Sequence, residues 1–247
     1  MAPPRLELFL MKRICLLLML LLSGLPVAAQ PPPGDGRQDA AKWFTSYSAG
    51  TFAELDRALE AIDSANPDLD LLSAAVFHET NNRREEKELA PLAFDPKVRE
   101  AARMQAAVMA ERGSISHVNP DMPEKRTPSD RLTLVGLNAA FSAENVATAF
   151  GLQYKASEPV YSREENGETL FSRQPGGEPI AMHTYISFAR ALLDDWMASP
   201  HHRENILSKA PRFLGASCLP KANDLGMPMF FCAQVFYTPL AGALPPE

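Results

Sequence analysis

Two apolar runs near the C-terminus, residues 213–219 and 229–237, each carry one cysteine and are separated by a polar stretch, 221–228, that contains Gly226 and Pro228. Such runs bounded by turn residues read as two β-strands of a hairpin, and Cys218 and Cys232 would staple them together. Whether they do depends on the compartment, because disulfides persist only under oxidising conditions. The other end of the chain bears on that. Lys12 and Arg13 precede an apolar run, 14–22, and Val27-Ala28-Ala29 supplies small residues for cleavage, the composition of a secretory signal peptide. We therefore expect residues 1–29 to be a leader cleaved near Ala29, with Met11 a more leader-like start than Met1. Its apolar run is shorter than the ~20 residues that span a bilayer, and no later stretch is longer, so the expected destination is the periplasm or the exterior without a transmembrane segment. The chain has three cysteines, and Cys15 leaves with the leader. A Cys218–Cys232 bridge would close a loop for which the chain-entropy account allows about 3 kcal/mol; two buried free thiols are the alternative.

Roughly 215 residues then remain, ample for one domain and tight for two. The formal charge moves from −6 to −8 as Arg5, Lys12, Arg13 and Glu7 are removed. An acidic chain is a poor partner for nucleic acid, which is excluded, and the acidic residues themselves read as solvated surface.

Along the chain, residues 30–38 are rich in Pro and Gly and read as a disordered lead-in. A helical extension follows to residue 66, including a helix over 51–64 with Thr51 as N-cap and Phe52, Leu55, Leu59 and Ile62 on one stripe; it reads as an appendage to a main domain over 67–240. There a helix runs from near Asp68 to Arg84, with His78 and Glu79 as core or rim polar groups, and 90–94 forms an apolar connector. Asp95 caps a second helix with Pro96 in its first position; Val98, Ala102, Ala106 and Met109 give it a narrow small-residue face, and Gly113 ends it. A short helix is expected over 130–137. Residues 151–182 form an insertion whose Asn166-Gly167 marks a type I′ hairpin. A last helix starts near His183 or Thr184 and stops before Pro200, leaving His201 and His202 in a separate turn. Residues 241–247 are a tail.

The order of these segments resembles a family. His117 in SHVNPDMPEKRTPSDRL, Glu144 in AENVA, the run WMASPHHRENIL and the terminal FFCAQVF, together with the upstream TNNRREEKELAPLAFD, resemble the bacterial branch of the CAP superfamily (cysteine-rich secretory, antigen 5 and pathogenesis-related proteins). The resemblance covers about residues 71–237. It implies an α+β fold, an α-β-α sandwich with a central antiparallel sheet, and a cleft where histidines and glutamates converge. His117 and Glu144 match the family's first cleft histidine and the glutamate of its Gly-Glu-Asn motif. His202 matches the histidine of the bacterial pattern, with His201 in place of the usual glycine; Arg203 and Asn205 match its remaining polar positions, and Gln234 matches the glutamine of the last strand. The chain departs from eukaryotic members where a second cleft histidine would introduce that strand, since it reads Pro228-Met229-Phe230-Phe231-Cys232. The insertion is longer than the usual connection and could cover the cleft.

Independently of family, His117, Glu144 and His202 would suit a divalent ion such as zinc, since imidazole and carboxylate are zinc ligands and three of them leave a position open. Their separation lacks the regularity of a strong zinc motif. The alternative is a metal-free cluster in which the histidines hydrogen-bond Glu144 and neighbouring backbone. Arg203, Asn205 and Gln234 are expected to support the cleft, Arg203 and Asn205 by pinning a turn. No nucleophile elbow, Cys-x-x-Cys pair or phosphate-binding glycine loop occurs. The leading expectation is a secreted, monomeric, non-enzymatic CAP protein that binds a lipid, cell-wall or protein ligand. A metal-assisted hydrolase of peptide or glycan with Glu144 as general base is the alternative, and an envelope protein using its N-terminal helices for contacts is a third.

Overall fold

The computed structural model describes residues 36–241; the leader with its cleavage near Ala29, residues 30–35 and residues 242–247 lie outside the described residues. The two cysteine-bearing runs are strands β5 (Phe213–Pro220) and β6 (Met229–Pro239), antiparallel and in a register that sets Cys218 opposite Cys232. These two form a disulfide that closes a 14-residue separation. Strand β2 (Ala139–Phe150) pairs antiparallel with the other side of β6, and the two-residue β1 (Ala93–Phe94) pairs with β5 in parallel. The connector expected over 90–94 thus supplies a strand, and the sheet order is β1-β5-β6-β2, with β2 at an edge.

Side-chain alternation assigns the two faces of β6. Phe230, Cys232 and Phe236, with Leu214, Ala216 and Cys218 of β5, enter a core shared with α4 (Leu69–Glu85) and α7 (Tyr185–Ala198). Phe231, Ala233, Val235 and Tyr237 enter a second core with α5 (Pro96–Arg112) and α6 (Pro128–Leu134). Helices cover both faces, which is why β6 is apolar on both, interrupted between Met229 and Phe236 by Gln234 alone. The caps act as the sequence suggests: Asp68 and Asp95 accept backbone N–H groups at the starts of α4 and α5, and Gly113 ends α5 in the left-handed conformation. The short helix begins earlier than expected, because Thr127 caps it and Pro128 takes its first turn. The small-residue face of α5 lets it lie so close to the sheet that a Cβ on Gly215 would stand 2.2 Å from the backbone nitrogen of Arg99.

The N-terminal extension is not an appendage. It comprises α1 (Gly36–Thr45), α2 (Ala49–Ala53) and α3 (Asp56–Leu59), so the disordered lead-in expected to residue 38 overlaps a helix. The single helix expected over 51–64 is replaced by two short ones, because Leu55 and Glu60 take extended backbone, and Ser48, not Thr51, caps the first: its hydroxyl accepts the Thr51 N–H, and Thr51 returns the bond from the third helical position. Phe44, Phe52, Ala58 and Ile62 join the α4–α7 core, while Leu59 faces solvent.

His78 of α4 locks this extension in place. It is 2% exposed, stacks on Phe52 at 4.3 Å between ring centres, and donates from Nε2 to the Trp43 carbonyl at 2.7 Å. Burial lowers its pKa from 6.5 to about 4, partly opposed by that hydrogen bond. Above the unfolded value the ring is neutral in both states and costs nothing. As pH falls from 6.5 towards 4 the unfolded chain takes up a proton that the folded one refuses, so roughly 3 kcal/mol is lost across that window. Urea unfolding at pH 7 and pH 4.5 is expected to show this loss in the native protein and not in His78→Phe. Identical pH slopes in the two proteins would refute it.

The insertion carries the expected hairpin, β3 (Tyr161–Glu165) and β4 (Glu168–Ser172), with Asn166 and Gly167 both at positive φ, as a type I′ turn requires. Thr184 caps α7 through a reciprocal bond with Ser187. After Ser199 the chain enters another helix, α8 (Pro200–Leu207), where a separate turn was expected. Proline in a first helical position gives up an N–H that has no partner there anyway, so Ser-Pro ends one helix and starts the next. Among the described residues, no helix is long and apolar enough to cross a membrane.

Candidate functional site

The site is assembled around the edge strand β2. His117 lies in the loop after Gly113, and buried Asn119 fixes that loop by donating from Nδ2 to Gln105 Oε1 at 2.8 Å and to the Lys125 carbonyl at 2.9 Å. Glu144, in the middle of β2, turns towards α6. Its Oε1 lies 2.9 Å from His117 Nδ1 and its Oε2 accepts from Arg131 Nη2 at 2.6 Å. Both members of the Glu144–Arg131 ion pair are enclosed, with side chains 1% and 0% exposed, whereas that of His117 is 48% exposed. Arg131 also donates to the carbonyls of Lys125 and His117. One guanidinium thus holds the carboxylate and the loop that brings the imidazole to it. With Nδ1 on the carboxylate, His117 presents Nε2 outwards.

Asn145, the next residue along β2, must point to the opposite face. It donates to Gln234 Oε1 at 3.1 Å and to the His202 carbonyl at 3.2 Å, and its Oδ1 accepts from Asn205 at 2.9 Å. Gln234 donates to Thr80 Oγ1, and Thr80 donates to the Val76 carbonyl at 2.6 Å. This chain of amides ties α4, β6, β2 and α8 together, and each buried polar group in it finds a partner.

The residues expected from sequence are therefore placed as follows. His117 and Glu144 are in contact. His202 reaches the same strand through its backbone; its ring lies edge-on to Trp196 at 6.5 Å and is held below the usual histidine pKa, first by burial and then by the charges of His117 and His201. His201 is exposed. Asn205 and Gln234 belong to the amide chain, and Gln234 is wholly buried beneath the surface. Arg203 donates to the Met197 carbonyl at 2.8 Å and pins the junction of α7 and α8 from outside.

Among the described residues, no three His, Cys, Asp or Glu side chains group in a way that could hold an ion, and both Glu144 oxygens are engaged, one by the His117 imidazole and one by the Arg131 guanidinium. Arg131, Asn145 and Thr80 are the site residues that sequence reasoning missed. Arg131 was visible only as part of a helix start, and nothing in its spacing of 13 residues from Glu144 reveals a buried ion pair.

The family model described as CAP, the cysteine-rich secretory protein family, matches residues 77–236. No curated protein matches. Solved structures similar to this chain include an extracellular protein containing an SCP domain from Bacillus anthracis (21% identity, TM-score 0.46), of which the match covers 41%, and 68% of this chain. An outer surface protein from Borrelia burgdorferi is similar at 16% identity and TM-score 0.42, covering 67% of this chain and 90% of that one. A cysteine-rich secretory protein from Staphylococcus aureus follows at 13% identity and TM-score 0.42, covering 69% of this chain and 39% of that one. This chain thus spans less than half of the Bacillus and Staphylococcus proteins. With the family match extending over most of its length and the strand, loop and helix motifs meeting at one site, the chain belongs to the cysteine-rich secretory protein (CAP) family.

Proposed function

We propose that the protein is an exported, non-enzymatic binding module that holds a lipid, cell-wall or protein ligand at the His117 side of β2, without a resident metal. The observation that carries this reading is the enclosure of Glu144. A general base needs a lone pair within reach of a substrate or water proton, and a metal ligand needs one open to the ion. Glu144 offers neither, since its side chain is 1% exposed between Arg131 and His117. What faces outwards is recognition chemistry: a half-exposed imidazole flanked by Ile115 and Val118, which are 56% and 45% exposed. Export is supported by the leader-like N-terminus and by the disulfide.

The test pairs binding with turnover. Cosedimentation with peptidoglycan and with lipid vesicles, and capture of surface proteins, are expected to retain the native protein on one of these materials and to release His117→Ala. Casein and peptidoglycan should yield no product, and zinc titration no stoichiometric uptake. Product formation that disappears in Glu144→Gln, or zinc uptake that disappears in His117→Ala, would overturn the proposal.

A further inference from the structure

Two arginines are buried among the described residues, Arg131 and Arg84. Arg131 has a counter-charge in Glu144. Arg84, at the end of α4 and 3% exposed, meets only neutral oxygens: its Nε donates to the Ala90 carbonyl at 3.0 Å and its Nη1 to the carbonyls of Ile206 and Ser208, both at 2.7 Å. No described residue accepts from its Nη2, and no described carboxylate forms an ion pair with it. Burial holds its pKa below the usual arginine value. A buried cation is costly without an anion beside it, and here the described chain supplies none.

Arg84 forms part of the wall of a cleft of about 420 Å³, within the range of small-molecule sites. Two further cations line that cleft, Lys209 and Arg212, both exposed. No described residue pairs with either side chain. The one carboxylate in the lining is Glu88, exposed and in no described ion pair. Three cations against one carboxylate leave a positive excess that suits a doubly charged anion. Leu89, Ala90 and Pro91 add an apolar rim that is half-buried or exposed.

The two loops that form the cleft are fixed in place. Asn81 clamps Leu92, donating from Nδ2 to its carbonyl at 3.0 Å and accepting its N–H at 2.8 Å. Thr238 donates to the Ala210 carbonyl at 2.6 Å, and the Arg212 carbonyl accepts the Ala93 N–H at 2.9 Å. Arg84 ties one loop to the other, since Ala90 lies on the first and Ser208 on the second. A cleft held in this way loses little conformational freedom on binding.

We propose that this cleft binds a small phosphate monoester, with its head between Arg84, Lys209 and Arg212 and its body against Leu89 and Pro91. A phosphoryl group carries about −1.5 to −2 charge at pH 7 and three acceptor oxygens, and guanidinium forks match such oxygens in pairs. A carboxylate brings a single charge. None of the residues that line the cleft belongs to the His117–Glu144 site, so the proposal stands or falls separately from the function proposed above.

Calorimetric titration of the full, disulfide-bonded protein with phenyl phosphate tests it. The expected result is saturable uptake of one molecule, weakened about tenfold in Arg212→Glu and in Lys209→Glu. Benzoate, with the same ring and a single charge, should bind about tenfold more weakly, and phenol not at all. His117→Ala, and Lys155→Glu as the same charge change at an exposed residue elsewhere, should bind as the native protein does. Arg84→Met should abolish uptake. Lys209 and Arg212 are surface residues, so their variants keep the test valid if Arg84→Met fails to fold by circular dichroism. Absence of saturable uptake, equal affinity for benzoate, uptake indifferent to Arg212→Glu, or an equal loss in Lys155→Glu would overturn the proposal.

Discussion

Arg131→Ala is expected to destabilise the protein by about 3–5 kcal/mol, the range for leaving a buried charge without its partner. The guanidinium is wholly enclosed and lies 2.6 Å from the equally enclosed Glu144. Truncation strands that carboxylate in a space water does not reach, and it also removes donors to the carbonyls of Lys125 and His117. The presenting loop should therefore loosen along with the global loss. The pair itself need not stabilise the fold: replacing both partners, as in Arg131→Met with Glu144→Leu, is expected to recover most of the loss, because an apolar pair of similar volume carries no desolvation cost. Denaturant unfolding of the two single variants and the double variant measures this coupling directly. An Arg131→Ala protein within 1 kcal/mol of the native stability would refute the buried pair as the organiser of the site.

Gly215→Val is expected to lose more than about 3 kcal/mol, at or beyond the upper end for overpacking a core. A Cβ at this position would stand 2.2 Å from the Arg99 nitrogen and 2.4 Å from the Val98 carbonyl carbon. Both are backbone atoms of α5, so relief requires moving the helix off the sheet. Gly151→Ala is the milder comparison, because the atoms nearest its Cβ would be side-chain atoms of Met182, Phe230 and Pro228 at 3.1–3.2 Å. Thermal unfolding should place Gly151→Ala near the native protein and Gly215→Val far below it. Equal melting temperatures for Gly215→Val and the native chain would show that α5 does not rest on that strand as closely as described.

Much of the fold was legible because it is written in short-range rules. Asp68, Asp95 and Thr184 cap helices where a side-chain oxygen precedes an apolar stripe, Gly113 ends one, and Asn166-Gly167 turns a hairpin. Legibility failed where two local readings compete. Ser48 and Thr51 both offer a hydroxyl, and only the reciprocal bond between them decides which is the cap. Pro200 can stop a helix or occupy the first position of another, and packing of Ile206 into the core favours the second. Strand β2 gave no clear signal, since Ala, Ser, Glu and Asn dilute its alternation; its partner β6 defines it.

By itself the sequence determined the α+β class and the family, and it pointed to the Cys218–Cys232 pairing and to His117 and Glu144, because caps, turns, strand runs and motif order are properties of neighbouring residues. Only the tertiary structure decided that the carboxylate of Glu144 is enclosed by Arg131, that His202 contributes a carbonyl to the amide chain, and that Thr80 of α4 accepts from Gln234 at its buried end. Those outcomes depend on which groups from distant segments share a space with little water, where one guanidinium changes what a carboxylate can do, and no spacing along the chain encodes that proximity.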